Sequence, residues 1–256
     1  MSRLFFLSLV SLFVSCYWNN NNEISLTEKT VRQPDSLKIV TDIGLPAGYK
    51  RIVPGKNSFG EWLRDIALKK DKHVYLYDGN LKRNQRAQFA VLDIPVGNKD
   101  LQQCADAVMR LWAEYLFSQK RYPEIEFKDN AGTVYKWTGG ENRNGFDKYL
   151  EKVFGMCGSA SLEKQLKPVS SLKELQPGYV FIKGGFPGHA MIVIDVAIDG
   201  KGNKIFMLAQ SYMPAQDIHI VKNPLRDDLS PWYEANDESE IITPEWTFAG
   251  NQLRRW

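Results

Sequence analysis

Cysteine, histidine and net charge are all scarce in this chain, and each shortage removes a class of function. The three histidines (His73, His189 and His219) are scattered, and neither CxxC nor HxxxH spacing occurs. No protein-built metal site and no cofactor is therefore expected. Lys and Arg total 33 against 30 Asp and Glu, a formal charge of +3, which lacks the basic excess of a nucleic-acid binder. No apolar run reaches the roughly 20 residues that a bilayer-spanning helix needs. No internal repeat or low-complexity linker divides the chain. With 43% hydrophobic and 12% aromatic residues, it reads as one globular domain over 37–256.

What is present begins at the N-terminus. A weakly basic Met1-Ser2-Arg3 precedes the apolar run LFFLSLVSLFV from Leu4 to Val14, with the small Ser15 at a cleavage point. That is the layout of a secretory signal over residues 1–15. The segment Phe13-Val14-Ser15-Cys16 resembles the lipobox of bacterial lipoproteins, in which the cysteine is acylated. The resemblance implies export and attachment of Cys16 to a membrane of the cell envelope, since two acyl chains suffice for stable anchoring. The alternative is an ordinary signal peptide that happens to contain a cysteine. Residues 16–36, with four consecutive asparagines and few large apolar side chains, read as a flexible tether. Removing residues 1–15 takes the charge to +2, because Arg3 is the only charged residue lost.

Beyond the tether, helices come first and strands later. Ser58 to Leu68 shows a serine cap and helical apolar spacing, and His73 to Tyr77 and Gln88 to Ile94 read as strands. The clearest helix is expected from an Asp100 cap, with Leu101, Cys104, Ala105, Val108, Trp112, Tyr115 and Leu116 on one stripe. Short strands are expected at Ile125 to Phe127 and Thr133 to Trp137, then helices at Phe146 to Phe154 and Ala160 to Leu166. Strands then follow at Tyr179 to Ile182, Ala190 to Ile198, Lys204 to Tyr212 and Ile218 to Val221. This order predicts an α+β fold with an antiparallel sheet and N-terminal helices.

The stretch LQPGYVFIKGGFPGHAMIVIDVAIDGKGNKIFMLAQSYM, Leu175 to Met213, carries the chemistry. Its Pro177-Gly178 before one strand and Gly188-His189 at the start of the next resemble the C-terminal half of papain-like cell-wall amidases and peptidases of the CHAP and NlpC type. Tyr179 stands where those proteins usually carry Asp. Gln103-Cys104 is similar to the Gln-Cys pair of CHAP domains, and the Asp-Cys-Ser-Gly pattern of the NlpC type is absent. Over most of its length the chain also resembles an uncharacterised family of exported bacterial lipoproteins. The first resemblance implies a distant papain-like core acting on cell-wall peptides. Cys104 would be the nucleophile, His189 its base, and a polar residue on the following strand would orient the imidazole. Gln103, or Gln102, would serve the oxyanion. A helix start favours the thiolate, and a neighbouring imidazolium would lower the thiol pKa further.

Hairpin arithmetic bears on the orienting residue. If paired positions in strands 190–198 and 204–212 sum to 401, Gln210 shares the His189 face; a sum of 402 moves it to the opposite face and leaves Ser211 there. Gln210 is the choice. Asp195 lies about 20 Å along the strand from His189, too far to hold the ring.

Plainer readings stand beside these. Cys104 on an apolar stripe is also an ordinary core cysteine, and His189 an ordinary loop histidine. Cys157 is an alternative nucleophile, and an exported compartment permits a Cys104–Cys157 disulfide. Lys82-Arg83-Asn84-Gln85-Arg86 reads most simply as a solvated loop, with an anion or glycan contact as the lesser reading; His219 and His73 read as strand or surface residues, and the tryptophans as core or rim packing rather than sugar-stacking platforms. A non-catalytic envelope lipoprotein that binds peptide or glycan is the rival function. The oligomeric state is left open by the sequence.

Overall fold

The eleven residues from His189 to Asp199 are buried along their first nine positions, so this strand is covered on both faces. The computed structural model describes residues 37–237 and 240–256. The expected signal at 1–15, its Cys16 and the tether at 16–36 lie outside the described residues.

In chain order the elements are β1 (Tyr49–Arg51), α1 (Phe59–Arg64), β2 (Gln88–Val91), α2 (Cys104–Ser118), β3 (Glu126–Lys128) and β4 (Val134–Lys136). Then come α3 (Arg143–Met156), α4 (Ser159–Gln165), β5 (Lys167–Pro168), β6 (Val180–Lys183), β7 (His189–Asp199) and β8 (Lys204–Gln210). The chain ends with β9 (His219–Val221), β10 (Tyr233–Glu234), β11 (Ile241–Ile242), β12 (Thr247–Phe248) and β13 (Leu253–Arg255). This is an α+β fold, and every strand pair in it is antiparallel.

The main sheet runs β2-β9-β8-β7-β6-β13-β5. The long β7–β8 hairpin is its centre, and shorter strands share its flanks. β6 pairs the first residues of β7 and β1 the last; β10 pairs the start of β8 and β9 its end. One face, with Ala190, Ile192, Ile194 and Ala197, packs on α2 through Ala105, Val108 and Leu111. The other, with Met191 and Val193, packs under Leu172, Leu175, Ile241 and Phe248.

Ile194 and Ala197 lie on the same face although their positions differ by an odd number. The cause is a β-bulge between Val193 and Asp195. From Ile198↔Lys204 to Asp195↔Met207 the paired numbers sum to 402; from Val193↔Leu208 onwards they sum to 401. The extra residue shifts the register by one, so side chains beyond it change face. Asp195 thereby stays on the helical side, fully buried, with Oδ2 2.6 Å from Arg51 Nε and Oδ1 2.6 Å from Arg64 Nε.

Several expectations are corrected. The α1 helix is capped by Ser58, whose hydroxyl accepts from Glu61 N at 3.3 Å, but it ends at Arg64. Ala67 and Leu68 leave the helix to bridge Ile39 and Leu92. His73 to Tyr77 forms only isolated bridges, because side chains take its amides: Val74 N bonds Gln85 Oε1 and Tyr75 N bonds Asp217 Oδ2. Asp100 does not cap α2. The helix begins at Cys104 with Gln103 as the cap residue, whose N–H donates to Asp106 Oδ2 at 3.0 Å. Asp100 Oδ1 instead accepts from Ala215 N at 2.7 Å.

Asp195→Ala strands two cations at the sheet. It is expected to cost about 3–5 kcal/mol, the range for breaking a buried pair, and urea unfolding of the variant against wild type measures it.

Candidate functional site

Cys104 is the first residue of α2, where main-chain N–H groups have no partner within the helix. It is 7% exposed. Burial pushes its thiol above the ordinary value. The Ala190 amide, donating to the sulfur, is the largest opposing influence, joined by the amides of Ala105 and Cys104, while the charge of Asp106 adds to the rise. The expected thiolate at rest is thus corrected, because loss of water outweighs these donors. The Ala190 contact places the sulfur at the residue after His189. Cys157, just past α3, is also buried, and both thiols are free, so the two cysteines form no disulfide. Burial pushes the Cys157 thiol up to about 11.

His189 opens β7 and is 1% exposed. Its ring lies 4.8 Å from Tyr212, 5.2 Å from Trp246 and 5.9 Å from Phe248, centroid to centroid. Gln210, last residue of β8, meets it: Oε1 is 2.8 Å from His189 Nε2. The 401 register beyond the bulge puts both on one face.

A chain of partners fixes which atom donates. Gln210 Nε2 donates to Glu245 Oε2 at 2.8 Å, and a carboxylate only accepts, so the amide oxygen must face His189. An amide oxygen also only accepts, so His189 carries its proton on Nε2 and keeps the lone pair on Nδ1. The second Gln210 N–H lies 3.3 Å from His219 Nε2, and His219 Nδ1 donates to the Asp217 carbonyl at 2.9 Å. Lys82 Nζ closes the network on Glu245 Oε2 at 2.5 Å. Burial lowers His189 to about 4, against the opposing Gln210 hydrogen bond, with the Lys82 charge adding to the fall. Burial lowers His219 to about 3, with help from the Lys82 charge. The resting pair is a thiol and a neutral imidazole.

His189 and Gln210 therefore lie together, while Cys104 approaches the main chain of Ala190, the residue after His189, with no side-chain hydrogen bond to His189 among the described residues. Gln103 does not join them: its side-chain amide donates to Asp100 Oδ1 at 3.1 Å. Gln102 is turned away as well, with Oε1 accepting from Arg110 Nη1 at 2.5 Å. His219 is a strand residue, the first of β9, and is fully buried against Gln210, whereas Lys82 is buried rather than solvated. Glu245 and Trp246, in the turn between β11 and β12, carry no motif that would have marked them. The His219 contact follows from strand pairing, since Gln210 and His219 are register partners. Among the described residues, no group of three or more His, Cys, Asp or Glu side chains is placed to hold a metal ion.

Mixed helices on an antiparallel sheet, with a polar cluster at the strand ends, set the class of protein. The chain belongs to the family described as Domain of unknown function (4846), which matches residues 39–142 and 128–255. No curated protein and no solved structure matches it.

The histidines make stability pH-dependent with a definite sign. Both folded-state values lie below the ordinary 6.5. The unfolded chain therefore binds protons first, and stability is lost as pH falls from about 6.5 towards about 4. Each histidine contributes roughly 1 kcal/mol per pH unit in that window. His219→Gln, whose side-chain oxygen reaches the position of Nε2 and does not titrate, is expected to flatten the slope of urea midpoint against pH.

Proposed function

We propose that this protein is a lipid-anchored cysteine hydrolase of the cell envelope, with a distant papain-like core that cleaves amide bonds in cell-wall peptides. The observation that carries the reading is the Gln210–His189 hydrogen bond at 2.8 Å, which leaves Nδ1 as the basic nitrogen of a residue that directly precedes Ala190, whose amide acts on the Cys104 thiol. A helix-borne cysteine, a histidine opening a later strand and an amide on the next strand follow the order of papain-like amidases. The N-terminal signal and Cys16 supply the anchor.

His189 Nδ1 takes the Cys104 proton as the sulfur bonds to the substrate carbonyl carbon and the C=O electron pair moves to oxygen. Main-chain N–H groups at the start of α2 and Ala190 N–H supply donors for that oxyanion. The intermediate collapses, the C–N bond breaks, and His189 returns its proton to the leaving amine. Water, deprotonated by Nδ1, then attacks the thioester, and Cys104 leaves as the thiol. Gln210 positions the ring throughout.

The rival reading, a non-catalytic lipoprotein that binds peptide or glycan, is favoured by the burial of His189. Thiol-directed labelling separates the two. Labelling at Cys104 should be lost in Cys104→Ala, fall by about 10²-fold or more in His189→Ala, and fall less in Gln210→Ala. Its rate should climb into the alkaline range, because the resting thiol is protonated. Absence of labelling at Cys104 in wild type rejects the hydrolase. For the anchor, cells fed a radiolabelled fatty acid should acylate wild type and not Cys16→Ser.

A further inference from the structure

A groove of about 990 Å³ runs beside the candidate site, lined by Tyr212, Gln216, Glu245 and the Lys82–Arg86 segment. Tyr212 belongs to both places, since its ring touches His189. Two features of the groove have no use within the chain. First, Arg51, Arg64, Arg121, Arg143, Arg226 and Arg254 each meet a carboxylate. Arg83 and Arg86 instead stand exposed on the groove with no side-chain partner among the described residues. Second, Gln216 is 1% exposed and its Nε2 is buried with no acceptor. A buried amide donor left unmade costs free energy that an incoming acceptor recovers. Glu245 is the groove's only lining carboxylate, and it is already held by Lys82, by Asn84 Nδ2 at 3.2 Å and by Gln210.

We infer that this groove is an acidic-peptide subsite, in which Arg83 and Arg86 bind a substrate carboxylate and Gln216 donates to the same chain. Arginine suits this task because its planar fork meets both carboxylate oxygens. Leu76, Leu81, Met213 and Pro214 line the same groove and give the peptide's aliphatic parts an apolar bed. The inference deepens the hydrolase reading: it sets the substrate class as a peptide with a carboxylate near the scissile amide, reached past Tyr212.

The test is binding to the full chain carrying Cys104→Ala, which has no nucleophile and so reports recognition without turnover. The probes are N-acetyl-alanyl-glutamyl-alanine amide and its neutral counterpart, N-acetyl-alanyl-glutaminyl-alanine amide, which differ only in the side-chain carboxylate, followed by calorimetry. The acidic peptide should bind about tenfold or more tightly than the neutral one, and the preference should shrink with added salt. Arg83→Gln/Arg86→Gln, at exposed positions that leave the core untouched, should abolish the preference. Gln216→Met should weaken both peptides together. Equal binding of the two probes, binding of neither, or a preference that survives the double arginine substitution overturns the inference. Because no thiol is involved, a selective binding result together with absent Cys104 labelling would reject the hydrolase and keep the subsite.

Discussion

Antiparallel pairing between β7 and β8 runs in two registers, and the candidate site depends on the residue that separates them. Near the turn the pairing would put Gln210 opposite Ile192, on the helical face and away from His189. The bulge at Ile194 shifts it by one, and Gln210 comes to lie across from Met191 on the histidine's face. The same bulge keeps Asp195 on the helical side, where Arg51 and Arg64 hold it. One inserted residue thus sets both an ion-pair cluster that ties α1 and β1 to the sheet and the hydrogen bond that orients His189. Bulges re-aim side chains in this way because strand periodicity is two.

Burying so many polar groups at the strand ends is sustainable because the partners form an ordered sequence. Lys82 donates to Glu245, Glu245 accepts from Gln210, Gln210 accepts from His189 and donates towards His219, and His219 donates to the Asp217 carbonyl. Each member has one direction available, so the tautomers of both histidines follow from a single carboxylate in the β11–β12 turn. A half-satisfied network would be worse than an apolar core. The neutral state of both rings belongs to the same logic, since a protonated His219 would have no acceptor for its Nε2 proton.

Much of this was legible in the sequence, for physical reasons that differ by element. The β7–β8 hairpin stood out because it is apolar throughout and ends in a polar turn. With it came the placement of Gln210, once a 401 register was weighed against 402. The bulge itself has no local signal: Ile194 is one more β-branched residue in an apolar run. The start of α2 departs from the sequence pattern because Asp100 is a good cap by type, while tertiary contact with Ala215 N claims its carboxylate. His73 to Tyr77 failed as a strand because Gln85 and Asp217, distant in sequence, take its amides. Glu245 and Trp246 were invisible, since they reach the site only through the return of the C-terminal segment across the sheet. The basic run at Lys82 to Arg86 has the composition of a solvated loop throughout, whereas the fold buries its first member and leaves two arginines on a groove.

Access and protonation state are one variable at this site. Burial is the leading cause of both the lowered His189 and the raised Cys104. Trp246 and Phe248, which cover the imidazole, belong to the β11–β12 segment that also carries Glu245. The same segment thus supplies both the rings that keep water from the imidazole and, through Glu245, the carboxylate that fixes Gln210 beside it. The Gln210–His189 bond itself joins two central strands and so depends on the sheet, while its direction depends on the C-terminal return of the chain.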